Sequence, residues 1–188
     1  MEIMQAMLAG ELPYPHIAET LDFALIAVEP GKAVFQGTPQ LKHYNLLGTV
    51  HGGWYATLLD SSVDCAVHTL MPAGRSYTTA ELSVNIVRAA SHETGPLRAI
   101  GTVIHCGRQL ATAELRIVGP DGKLYAHATT TCLVFELPGR GRLRRTAKQR
   151  KLPGANGSFL EAQFQSFAEP SAVIHHGQHR AHCQHSKA

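Results

Sequence analysis

Within one short stretch of this 188-residue chain stand Asn45, the run His51-Gly52-Gly53, and Asp60, seven residues after the second glycine. A Gly-Gly pair at a helix start lets the backbone approach a ligand closely. It also leaves unpaired N–H groups pointing outward, where the helix dipole favours a developing negative charge. This is the raw material of an oxyanion site. A carboxylate two turns further along, at the border of an apolar helix face, would be partly desolvated. Desolvation raises its pKa and makes it a stronger base or nucleophile. His51 could orient the loop or hydrogen-bond a substrate carbonyl, and Asn45 could hold a water or a carbonyl. Each residue also has a plainer role open to it: Asp60 on a solvated helix face, His51 as a satisfied loop histidine, the glycines as tight packing at a helix start.

These residues need a helix and a sheet to position them. Residues 54–70 contain neither Gly nor Pro, follow Gly52-Gly53 and end at Met71-Pro72-Ala73-Gly74, which predicts a helix. On a helical wheel Tyr55, Leu58, Leu59, Val63, Ala66, Val67 and Leu70 fill one arc. Thr57, Ser61, Asp64 and His68 take the other side, with Asp60 at the border, so Asp64 is expected to be solvated. Residues 21–28 and 32–37 are predicted strands around the turn Glu29-Pro30-Gly31. After the helix, residues 80–86 alternate apolar even positions with polar odd ones, and 97–106, 111–117 and 124–135 are also strand-like. Thr79 and its neighbour Thr78 would face opposite sides of that strand, so register decides which of them is useful. Two strands, one long helix and four closely linked strands imply an antiparallel sheet wrapped around the helix.

At this point the residues carry a resemblance. The segments HYNLLGTVHGGWYATLLD, TTAELSVNIVRAA and DGKLYAHATTTCLVFE resemble the hotdog-fold acyl-CoA thioesterases, specifically the PaaI-like (phenylacetate-degradation) branch, over roughly residues 10–137. The combination of Asn, His-Gly-Gly and Asp at these intervals is more specific than His-Gly-Gly alone. The resemblance implies an α+β hotdog fold, an antiparallel sheet of about six strands around one long central helix. It implies a homodimer, with pairs of dimers forming tetramers, and active sites at the dimer interface. Asp60 then matches the catalytic acid, as base or nucleophile, and the Gly52-Gly53 turn the polarising backbone. His51 and Asn45 match the supporting pair, and Thr79 the hydroxyl that helps hold the water. Arg88 and Arg108 are weaker suggestions for the coenzyme A phosphates. No metal and no cofactor is expected, coenzyme A being part of the substrate. The expected activity is hydrolysis of an acyl-CoA thioester to a free acid and coenzyme A. The alternative is a non-catalytic hotdog protein that binds an acyl-CoA or a related ligand. Aromatic, medium-chain and branched acyl groups all remain open.

Composition bounds the rest. The 44% apolar content suits a globular core, and the net charge is +3. No run approaches the roughly 18 apolar residues of a membrane helix. The first basic residue is Lys32, with four acidic residues before it up to Asp22, so no leader is expected and the expected location is the cytoplasm. Cys65, Cys106, Cys132 and Cys183 form no C-x-x-C pair, which argues against a zinc ribbon or a disulfide scaffold, and Cys65 and Cys132 are expected to be packing residues. Charge divides the chain: residues 1–137 carry 8 basic and 12 acidic side chains, residues 138–188 carry 9 and 2. The expected domain is therefore 1–137. Residues 138–188 read as a basic, His-rich tail with one possible helix near 158–168. Its basic block, residues 140–151, lacks interleaved aromatics and no nucleic-acid module is recognisable, so nucleic-acid binding is not expected. The spacing of the tail's histidines does not define a metal site.

Overall fold

The structure, a computed structural model, describes residues 1–137. The tail, and with it the helix expected near 158–168, lies outside the described residues. Two short helices, α1 (Glu2–Leu8) and α2 (His16–Thr20), precede the hairpin of β1 (Phe23–Glu29) and β2 (Lys32–Gly37). A single 3-10 turn, Leu41–His43, leads into the long helix α3 (Gly52–His68). Then come β3 (Arg75–Ile86), β4 (Leu97–Cys106), β5 (Leu110–Val118) and β6 (Leu124–Glu136). The six strands form one antiparallel sheet in the order β1-β2-β4-β5-β6-β3, and α3 packs on its inner face. This is the α+β hotdog architecture that the resemblance implies. None of the helices in the described region is long and apolar enough to cross a membrane.

Two features go beyond the sequence reading. The segments of α1 and α2 carry no long apolar period, and they form because α1 buries Met4 and Met7, and α2 Ala18, against the rest of the fold. Strand β3 does not pair with its successor β4 but with β6, at the far edge of the sheet. Residues 87–96 carry the chain across, and the other edge of β3 pairs with no strand among the described residues.

The helix can sit deep in the sheet because the inner face beneath it is made of small residues. Ala99, Gly101, Ala111, Ala113, Ala126 and Ala128 are all buried. Leu58, Leu59, Val63 and Val67 of α3 pack over them with Phe35, Leu97 and Ile117 in the same core. Gly101 marks the closest approach: a Cβ there would lie 2.8 Å from the Ser62 carbonyl carbon and oxygen and 2.9 Å from the Val63 nitrogen. Because these are helix backbone atoms, they cannot swing aside as a side chain would. Gly101→Ala is expected to destabilise the fold by about 3 kcal/mol, the upper part of the range for overpacking. A urea unfolding midpoint that stays at the wild-type value would contradict this.

Candidate functional site

Helix α3 begins where the loop before it is tied down. His43 is buried, stacks on the Trp54 ring at 5.8 Å and accepts the Gln40 N–H at Nδ1. Its Nε2 lies 3.1 Å from Asp22 Oδ2, close enough for attraction but off the line of a hydrogen bond. Burial is the main reason its pKa is lowered, so the ring is held neutral at physiological pH. The His43 carbonyl accepts the His51 N–H, which sets the last residue before the helix.

His51 is the N-cap of α3, and its Nδ1 accepts the Gly53 N–H at 2.8 Å. Such a bond satisfies one of the orphan donors of a helix start. The two glycines are therefore not equivalent. The Gly53 N–H is spent on His51, whereas the Gly52 N–H meets no acceptor among the described residues and is partly exposed. Next to it lies the end of β3, since a Cβ on Gly52 would stand 3.2 Å from Ile86 Cδ1.

Asn45 is occupied elsewhere in the isolated chain. Its Oδ1 accepts the Leu47 and Thr49 N–H groups and its Nδ2 donates to Thr49 Oγ1, closing the loop that exposes Leu46 and Leu47 almost entirely. The structure does not bring Asn45 to Asp60.

Asp60 stands half-buried on the side of α3 that faces β3, and Thr79 Oγ1 donates to its Oδ1 at 3.1 Å. Burial pushes the Asp60 carboxyl up from its ordinary range, with the Thr79 bond offsetting part of the rise. Thr79 reaches Asp60 because β3 changes phase. Thr79 pairs with Cys132 and Glu81 with Thr131, which leaves Ala80 as an extra residue, a β-bulge. Before the bulge the odd residues Tyr77 and Thr79 face the helix; after it the even residues Leu82 and Val84 do. The Thr130 hydroxyl donates to the Glu81 carbonyl at 2.6 Å, beside the bulge.

Asp64 corrects the wheel. It is largely buried: it faces β3, with Thr79 Oγ1 3.3 Å from its Oδ1 and the Tyr77 hydroxyl donating to its carbonyl at 2.6 Å. Its carboxyl is pushed up to about 6, first by burial and then by the charge of Asp60, with Thr79 pulling the other way. His68, drawn on the same polar side, is buried with its ring edge-on to Tyr77, while Leu70 falls beyond the helix and is exposed. A wheel divides a helix into two sides. Strands β3 and β6 cover part of the second, so His68 is buried and Asp64 largely so.

Cys65 and Cys132 are buried, and burial holds both thiols up, Cys65 at about 12, so neither is a thiolate at neutral pH. Arg88 and Arg108 lie far apart. Arg88 follows β3, donates from Nε to the Leu124 carbonyl at 3.4 Å and rests over the Tyr125 ring. Arg108 sits in the β4–β5 turn, where its carbonyl accepts from the guanidinium of Arg75 at the start of β3. A twelve-residue strand separates them, about 40 Å of extended chain. One chain cannot aim both at the same phosphate.

Along an α-helix the eight steps from Gly52 to Asp60 span about 12 Å. Within one chain the open N–H and the carboxylate are therefore too far apart to act on one carbonyl. The arrangement holds a partly desolvated carboxylate with a hydroxyl at one place and an open backbone N–H at another.

A family model described as the thioesterase superfamily matches residues 47–126, a span that contains His51, Gly52, Asp60 and Thr79. A protein of Halobacterium salinarum named as an esterase is 32% identical over 52% of this chain, and the match spans 60% of that relative's length. The 1,4-dihydroxy-2-naphthoyl-CoA hydrolase of Listeria monocytogenes is 27% identical over 63% of this chain and 94% of its own. Among solved structures, a phenylacetic acid degradation-related protein of Ralstonia eutropha JMP134 is 30% identical, with a TM-score of 0.62 over 69% of this chain and 98% of its own. With the fold, the matched span and this identity across nearly the whole of a solved relative in agreement, the chain belongs to the thioesterase superfamily.

Proposed function

We propose that the protein hydrolyses acyl-CoA thioesters to a free carboxylic acid and coenzyme A. The observation that carries this reading is the pairing of Asp60, half-buried and held by the Thr79 hydroxyl, with a helix start whose Gly52 N–H is open. A desolvated carboxylate can take a proton from water or attack the thioester carbon. A backbone N–H at a helix N-terminus can receive the charge that develops on the carbonyl oxygen. Thioesterase superfamily membership and a relative named as a 1,4-dihydroxy-2-naphthoyl-CoA hydrolase support the reaction class.

The two halves act together when a second copy of the chain is added. The edge of β3 that pairs with no strand among the described residues can join its counterpart in a partner, extending the sheet through both subunits. A two-fold axis passing near Leu82 and Ser83 sets Thr79 of one copy opposite Ile86 of the other. Thr79 touches Asp60 and Ile86 touches Gly52, so the carboxylate of one subunit then faces the open N–H of its partner. His51 keeps the Gly53 N–H occupied and Gly52 aimed outward. Asn45 and the loop it closes lie on the same side as Gly52 and would wall the thioester. Arg88, at the Gly52 end, is better placed for a coenzyme A phosphate than Arg108.

The test is a panel of short, medium, branched and aromatic acyl-CoAs incubated with the purified full chain while a thiol reagent records coenzyme A release. Turnover of at least one class is expected. Tight binding of an acyl-CoA with no thiol released would sink the hydrolase reading in favour of a ligand-binding role.

A further inference from the structure

We propose that Asp64 is a positioning residue of this site: its carboxyl shares the Thr79 hydroxyl with Asp60, sets the direction in which that hydroxyl donates, and so controls how readily Asp60 takes a proton. The inference rests on the hydrolase reading above. Its basis is a count of protons. Thr79 carries one hydroxyl proton and lies 3.1 Å from Asp60 Oδ1 and 3.3 Å from Asp64 Oδ1. One proton cannot satisfy two carboxylates.

With a proton on Asp64 the three groups form a directed relay. The Asp64 O–H donates to Thr79 Oγ1, and Thr79 donates to Asp60, which carries the negative charge. When Asp64 loses its proton, two carboxylates on successive turns of α3 compete for the hydroxyl. Their repulsion makes Asp60 a stronger base than it was beside a neutral partner. The surroundings favour this exchange. From α3 the pair is flanked by Cys65, and from β3 by Tyr77, whose ring also contacts His68; Cys132 approaches from β6. Both thiols and the Tyr77 phenol are held protonated by burial, so none competes for the charge near neutral pH. The rise of the Asp64 carboxyl to about 6 places the switch in a range where the enzyme can be assayed.

The experiment follows kcat and KM against pH for the wild type, Asp64→Asn and Thr79→Val, on whichever acyl-CoA the panel identifies. The titration of the carboxyl carbons is followed by carbon-13 NMR in the same full-length proteins and in Asp60→Asn. In the wild type the rate should climb in two steps between about pH 4 and 8, belonging to the pair and not to either residue alone. In Asp64→Asn the upper step should vanish and the lower one move to lower pH. The plateau should fall about threefold to tenfold, as expected for a weaker base, with KM nearly unchanged. A purely structural Asp64 would shift the melting temperature but leave the shape of the profile alone. In the NMR arm the Asp64 curve of the wild type should show coupling and shift down in Asp60→Asn. A profile of unchanged shape in Asp64→Asn, or an Asp64 curve indifferent to Asp60→Asn and Thr79→Val, overturns the proposal. If no thioester is turned over, it is the hydrolase reading that falls, and the NMR titration still decides whether the two carboxyls share a proton.

Discussion

Asp60→Asn is expected to lower kcat for acyl-CoA hydrolysis by about 10²–10⁴-fold, the range for loss of a positioned general base, with a much smaller change in KM. Asparagine fills nearly the same volume and can still accept the Thr79 hydroxyl, so the fold should survive and the melting curve should stay close to wild type. The loss must come from chemistry. An amide neither takes a proton from water nor attacks a thioester carbon. Steady-state kinetics on the best substrate of the panel supplies the measurement. If most of kcat is retained by a folded Asp60→Asn, the proposed mechanism is wrong.

The second large effect is expected from Gly52→Pro, which removes a single donor. Gly52 is the first residue of α3, the position where proline is best tolerated because its missing N–H has no helical partner. His51 precedes it in an extended conformation with ψ 138, as a residue before proline requires. The new ring would press on the end of the Ile86 side chain, which can move. A fall in kcat of about 10²–10³-fold is expected, the loss measured when one oxyanion donor is removed. Circular dichroism and thermal melting should show that helix and fold persist. A folded Gly52→Pro with wild-type turnover would move the oxyanion site elsewhere.

Mixing the two variants tests the shared site directly. If Asp60 of one subunit works with Gly52 of the other, a mixed dimer holds one doubly damaged site and one intact site. Re-association of equal amounts of Asp60→Asn and Gly52→Pro should then recover about a quarter of wild-type activity from two nearly inactive proteins. No recovery after verified subunit exchange would place each site within one chain and contradict the two-fold arrangement.

Much of this was legible in the order of residues. The glycine and proline punctuation around residues 54–70 and the alternation in β5 and β6 are local signals, and local signals are what periodicity reads. The Asn, His-Gly-Gly and Asp spacing lies within one loop and one helix, so the identity of the candidate site residues was readable too. The short helices α1 and α2 escaped because tertiary burial of Met4, Met7 and Ala18, not propensity, holds them in place. Asp64 and His68 were misplaced because a wheel knows nothing of strands that cover part of its polar side.

By itself, then, the sequence determined the long helix and the six strands, pointed to the hotdog class, and named the candidate site residues, because these are encoded over a few neighbouring positions. Only the tertiary structure decided how they are placed. It committed the Gly53 N–H to His51 and left that of Gly52 open. It inserted Ala80 as a bulge, so that Thr79 turns toward Asp60, and it enclosed Asp64 beside the same hydroxyl. It also put β3 at the edge of the sheet. These are contacts between residues far apart in the chain, fixed by strand register and by the room Gly101 leaves for the helix, and no local pattern carries them.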